Sequence, residues 1–183
     1  MGTRHLICVV KDGNWKVAQY GQWDGYPEGQ GIDALHFLRD VMERPAFDDM
    51  VAELEWITPA EIAAINEELD GSQNLNDLYP ALSRDTGAGI LPLIFQNNRR
   101  TLKLQNHVEF AKDSLLCEFA YVIDLDKNTF EFYRGFNKEP LGPDERFYSE
   151  EPHLREYQPV KLFATFDLNN LPSDEDFINQ TVE

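Results

Sequence analysis

The residue types able to do chemistry gather in two short stretches near the start of the chain, Gly2-Thr3-Arg4-His5-Leu6 and the run from Gln19 to Gly31. His5 offers an imidazole, the commonest general base, and Asp24 a carboxylate to orient it. Arg4 can clamp a carboxylate or phosphate through two parallel hydrogen bonds. Tyr20, Trp23 and Tyr26 supply flat faces, while Thr3, Gln22 and Gln30 supply directed donors and acceptors. Gly31, leading into Ile32, can present free backbone N–H groups at a helix start, which favours anions. Such a set suits a mouth for a small polar or anionic ligand, with hydrolase-type turnover as an extension. In that reading His5 and Asp24 are the candidate catalytic pair, and Thr3, Arg4, Tyr20, Gln22, Trp23, Tyr26, Gln30 and Gly31 are the binding set. The competing reading is an Ω-loop packed on its own side chains, with Asp24 capping a turn and Arg4 in a surface ion pair.

Other chemistries fit less well. Gly29-Gln30-Gly31 is neither a dinucleotide fingerprint, since Asp33-Ala34 stand where the third glycine belongs, nor a phosphate loop, since no Gly-Lys-Ser/Thr follows. Asp33 in the first helical turn repels an anion and equally stabilises the helix. A nucleophile is hard to place, because Thr3 is preceded by Gly2. His36, His107 and His153 lack paired metal-ligand spacing. Asp124-Leu125-Asp126-Lys127-Asn128 opens like a calcium loop, but Thr129 and Gly135 occupy the positions of the required glycine and glutamate. No metal and no cofactor is expected. Cys8 and Cys117 sit in apolar runs and read as buried thiols. Glu118 and Glu131 fall on neighbouring strands, where they are a carboxylate pair or, as the pattern favours, exposed charges on a wet face.

The elements that position these groups follow from periodicity. His5–Val10 and Trp15–Tyr20 are strand-like and flank Lys11-Asp12-Gly13-Asn14, a hairpin turn. That hairpin brings Thr3, Arg4 and His5 beside Tyr20, Gln22 and Asp24. The unbroken run Leu6–Val10 predicts a strand covered on both faces. Ile32, Leu35, Leu38 and Met42 have helical spacing, with Gly31 opening and Pro45 closing the segment. Phe47, Met50, Val51 and Leu54 mark a second helix. Thr58-Pro59-Ala60-Glu61 is a capping box that starts a third, running to about Asp70 with Gly71 as its stop. Leu75, Leu78, Tyr79 and Leu82 suggest another turn or two of helix. Ile90–Phe95 reads as a buried helix, with a strand as the competitor. Alternation then marks strands at Cys117–Ile123, Thr129–Phe136 and Val160–Phe166, and Ser173 caps a terminal helix.

This order predicts one α+β domain over residues 1–183. Its mainly antiparallel sheet is built from two hairpins plus a C-terminal strand and is covered by the helices between the hairpins. The proline-rich stretch 137–158 is a long surface excursion. In outline the layout is loosely similar to N-terminal-nucleophile hydrolases, a fold-level analogy only. The net charge of −17 argues against direct nucleic-acid binding. It allows instead an acidic interaction protein, an inhibitor or nucleic-acid mimic, docking a basic partner. Acids dominate from Asp33 to Asp77, while Arg84, Arg99, Arg100 and Lys103 reverse the balance locally. No membrane-spanning run or secretory signal is read, so a cytoplasmic location is expected. Gly2-Thr3-Arg4-His5-Leu6, the Gln19–Gly31 run and Cys117–Asp126 together resemble a family with fungal, bacterial and phage members. The resemblance attaches no activity to the chain.

Overall fold

A computed structural model describes residues 2–69, 74–97, 102–150 and 156–182. The expected helix end at Asp70-Gly71, together with Arg99, Arg100 and His153, lies outside the described residues. Strands β1 (His5–Lys11) and β2 (Asn14–Gly21) form the N-terminal hairpin, whose turn puts Asp12 and Gly13 at positive φ. Such a turn matches the twist of the strands it joins. The Asp126 carboxylate accepts from both turn N–H groups, at 2.9 and 2.8 Å.

Helix α1 (Ile32–His36) is flanked by wider helical turns, Pro27–Gly31 and Phe37–Val41, so helical structure starts four residues before the expected Gly31. Helices α2 (Ala46–Ala52), α3 (Pro59–Glu68) and α4 (Leu75–Leu78) follow, and α5 (Ile90–Gln96) is the buried helix and not a strand. Two short strands missing from the sequence reading, β3 (Glu55–Trp56) and β4 (Lys103–Leu104), pair in parallel. Two residues carry too little alternation to be legible. β5 (Phe119–Asp124), β6 (Thr129–Arg134) and β7 (Lys161–Asp167) complete the main sheet, and α6 (Asp174–Thr181) is capped by Ser173.

The sheet order is β2-β1-β5-β6-β7, with only the β1–β5 pair parallel. This is an α+β fold with a mainly antiparallel five-stranded sheet. The parallel pair needs a long crossover, and α1 to α5 all lie within it. Ile7, Val9, Tyr121, Ile123, Phe130 and Phe132 face those helices and α6, while Leu6, Cys8, Val10, Ala120, Val122 and Tyr133 form a second core on the other face. Leu141, Phe147 and Val160 cover that second face, so within the expected excursion Leu141 and Phe147 form a lid on the core.

Candidate functional site

His5 opens β1 directly opposite Gly21 at the end of β2. Side chains alternate along a strand, so His5 shares a face with Ile7 and Val9 while Leu6 and Tyr20 share the other. That alternation divides the expected site. Tyr20 packs edge-on against Phe110 at 4.9 Å, with the Arg84 guanidinium 5.9 Å from its ring centre. Arg4 takes Glu118 as its partner. Its Nε lies 3.5 Å from Oε1, its backbone N–H donates to the same oxygen at 3.2 Å, and its carbonyl accepts the Glu118 N–H. Glu118 is therefore not paired with Glu131, which stands opposite Val122, further along the sheet.

The His5 imidazole is 1 % exposed, and neither ring nitrogen has a hydrogen-bond partner. Three glycines hold it. A Cβ at Gly21 would lie 2.2 Å from the ring, one at Gly25 2.7 Å from the His5 Cβ, and one at Gly87 3.1 Å from Nε2. Real Cβ atoms do not approach within 3.0 Å, so glycine is required at Gly21 and Gly25, while at Gly87 the contact with the ring is tight. Gly87 also has φ +50, a conformation that glycine adopts at little cost. Burial pushes the His5 pKa down from 6.5 to about 4, against smaller upward pulls from the Thr3 backbone and the Asp24 charge. The Thr3 carbonyl already accepts the Gly25 N–H at 3.1 Å, and the ring makes no hydrogen bond to it of sound geometry. His5 is thus a neutral base stripped of partners. Asp24 does not orient it: the Asp24 carboxylate accepts the Tyr26 hydroxyl at 3.1 Å, and its carbonyl accepts the Gln30 N–H.

Above this floor the loop is exposed. Trp23 is 51 % and Tyr26 40 % exposed, with Gly2 pressed against the Trp23 ring. The Ω-loop reading is met in part: Arg4 pairs with Glu118 and Asp24 accepts within the loop, while both rings stay about half exposed. The loop is anchored from below by the Tyr121 hydroxyl, which donates to the Gly25 carbonyl at 2.8 Å. Gly31 lies in the core, where a Cβ would sit 3.0 Å from both Tyr121 and Phe177, so its smallness serves packing and not a ligand.

A second wall escaped the sequence reading. The Asp85 carboxylate accepts from the Gln22 amide, the Trp23 indole at 2.9 Å and the Asn76 amide at 2.8 Å. The Gln22 bond is the largest of the effects that hold the Asp85 pKa below its ordinary value. Ser83 is buried and accepts the Gln19 amide through its carbonyl. Gln30 reaches across to accept the Ala88 N–H at 2.6 Å, pinning Gly87 beside His5. No local pattern marks this wall: Asp85-Thr86-Gly87-Ala88-Gly89 holds two glycines and a single acid, with no apolar period.

The structure thus assembles Thr3, His5, Gln22, Trp23, Asp24, Tyr26 and Gln30 at one end of the sheet, adds Asp85 and Asn76, and directs Arg4, Tyr20 and Gly31 elsewhere. Asp24, Glu28 and Asp85 bring negative charge to this end, and the Arg84 charge acts on Asp85. Among the described residues no group of three or more His, Cys, Asp or Glu is placed to hold a metal ion, and no helix is long and apolar enough to cross a membrane. No protein-family model, curated protein or solved structure matches the chain.

Proposed function

We propose that this protein binds a small polar ligand, neutral or positively charged, at the mouth formed by Thr3, His5 and the 20–31 loop against Asp85. The observation that carries the reading is the buried His5 ring with two unsatisfied nitrogens; because the ring is 1 % exposed, a ligand reaches it only when the glycine backbone over it moves aside. An unpaired buried polar group costs roughly 1–3 kcal/mol, so its presence calls for an explanation, and a ligand that completes it is the one proposed. A neutral imidazole is one donor and one acceptor, so it suits a ligand that carries both, such as an amide or hydroxyl. Trp23 and Tyr26 offer faces to a cationic group, and the carboxylates of Asp24 and Asp85 favour the same sign. With Arg4 engaged by Glu118, the mouth has lost the clamp an anion would need. Binding is favoured over hydrolysis because His5 lacks an orienting carboxylate and a nucleophile.

Native mass spectrometry of the purified protein tests this. A small molecule that co-purifies with the unsubstituted chain and is lost from both Trp23→Ala and His5→Gln supports the mouth. A small molecule retained by both variants refutes it. If none co-purifies, a panel of small amides, polyols and amines is titrated against the Trp23 fluorescence of a Trp15→Phe/Trp56→Phe chain, and a flat response across the panel also refutes it.

A further inference from the structure

Helix α3 stands out because none of its ten residues is buried. Its start is self-sufficient: the Thr58 hydroxyl accepts the Glu61 N–H, and Glu61 Oε2 accepts the Thr58 N–H at 2.9 Å. Yet an isolated helix shorter than ~12–15 residues is marginal in water, so α3 depends on what packs against its side. Its inner side, carrying Ala64 and Ile65, borders an open apolar cleft of about 840 Å³. The opposite wall is Leu78, Tyr79 and Leu82, and Leu93 and Leu102 lie between. Leu78 is 52 % exposed at the lip.

Carboxylates stand at the rim of this cleft among the described residues. Glu68, one helical turn beyond Ala64 and Ile65, accepts the Tyr79 hydroxyl at 3.2 Å. Glu61 lines the cleft itself, with its pKa drawn down to about 2, chiefly by Lys103. Exposed Asp77 adjoins Leu78. Among the described residues the cleft has one cationic lining residue, Lys103, which is already held by Glu61 and by Glu55 at 3.7 Å.

We propose that this cleft docks one amphipathic helix of a basic partner protein, its apolar stripe against Ile65 and Leu78 and its lysines or arginines against Glu68 and Asp77. An apolar floor calls for the stripe, and carboxylates on both lips call for cations beside it. A purely apolar small molecule would use the floor but leave the charged lips unexplained. This cleft is separate from the mouth, although α4 borders both, with Asn76 bonded to Asp85 and Leu78 lining the cleft.

The test uses the full chain and a fluorescein-labelled synthetic peptide of leucine and lysine at helical spacing. Controls are the same composition scrambled to remove the period and an apolar dye as a small-molecule probe. The proposal expects the periodic peptide to bind at least about tenfold more tightly than the scramble, and Ile65→Asp and Leu78→Asp each to weaken it about tenfold or more. It expects Glu68→Gln/Asp77→Asn to weaken binding and flatten its salt dependence, and Asp49→Lys, on exposed α2 surface, to leave it unchanged. Both apolar substitutions replace residues that are not buried, and circular dichroism checks that each variant is folded. The proposal is overturned if scramble and periodic peptide bind alike, if Ile65→Asp and Leu78→Asp have no effect, if the peptide fails to bind, or if the dye alone fills the cleft.

Discussion

Two polar clusters are buried on opposite faces and at opposite ends of one sheet. At the start of β1, His5 is enclosed with no partner for either nitrogen. At the far end of β5 and β6, Arg146 reaches in from the lid. It donates to Asp124 at 2.6 Å and to Glu131 at 2.7 Å, and the Tyr133 hydroxyl donates to Glu131 at 2.6 Å. Burial opposes the charge on Arg146, but its hydrogen bonds to Glu131 and Asp124 outweigh that and raise its pKa. Burial and the Glu131 bond likewise push the Tyr133 hydroxyl upward. The Arg146 cluster is internally complete, so it needs no ligand and reads as a latch for the lid. The His5 cage is incomplete, which makes it the better candidate for a site. Polar residue content alone would have ranked them the other way.

Breaking the latch should give the largest effect. Arg146→Met strands two buried carboxylates, and we expect a loss of about 3–5 kcal/mol in urea unfolding. Adding Asp124→Asn and Glu131→Gln should recover much of that loss. A small effect of the single substitution would mean the ion cluster is solvated and the contrast between the two regions is false.

The His5 cage predicts a particular pH dependence. The folded state keeps His5 neutral down to about pH 4, while an unfolded histidine titrates near 6.5. Between those values the unfolded chain binds more protons, so stability falls as pH drops through the window and is fully present above it. Relative to His5→Gln, the unsubstituted protein should lose about 3 kcal/mol across that range. Parallel stability–pH curves for the two chains would remove the cage from the account.

Next in size is the fit of the cage. Gly21→Ala drives a methyl into the imidazole and should cost about 1–3 kcal/mol. That cost should shrink in a His5→Ala background, and the difference is the coupling between the two residues. Equal costs in both backgrounds would locate the strain elsewhere. The smallest effect belongs to the exposed rim. Trp23→Ala should change stability by no more than about 0.5 kcal/mol, because the ring is half in solvent. A larger loss would make Trp23 a structural residue.

Much of this arrangement was legible before any coordinates. Local signals carry through: Asp12-Gly13 turned the hairpin, Thr58 and Glu61 capped α3, and the hairpin put His5 beside Gly21. The alternation that separates Arg4 and Tyr20 from His5 was also readable, since neighbouring residues of a strand face opposite ways. The second wall was not readable. Asp85 reaches Gln22 and Trp23 across more than sixty residues of chain, a distance that no local period spans. The parallel pairing of β1 with β5 has the same cause, and so does Arg146, whose partners lie on strands that precede it.

The central claim is that His5 is an unsatisfied group completed by a ligand, and nitrogen-detected NMR of its imidazole tests it most directly. With ¹⁵N-labelled protein, the ring nitrogens are followed from neutral pH downward, alone and with each ligand that moves Trp23 fluorescence. The account predicts a neutral ring that titrates at about 4 and ring-nitrogen shifts that move on ligand binding. A midpoint near 6.5, or a bound ligand that leaves both ring nitrogens unmoved, would contradict it.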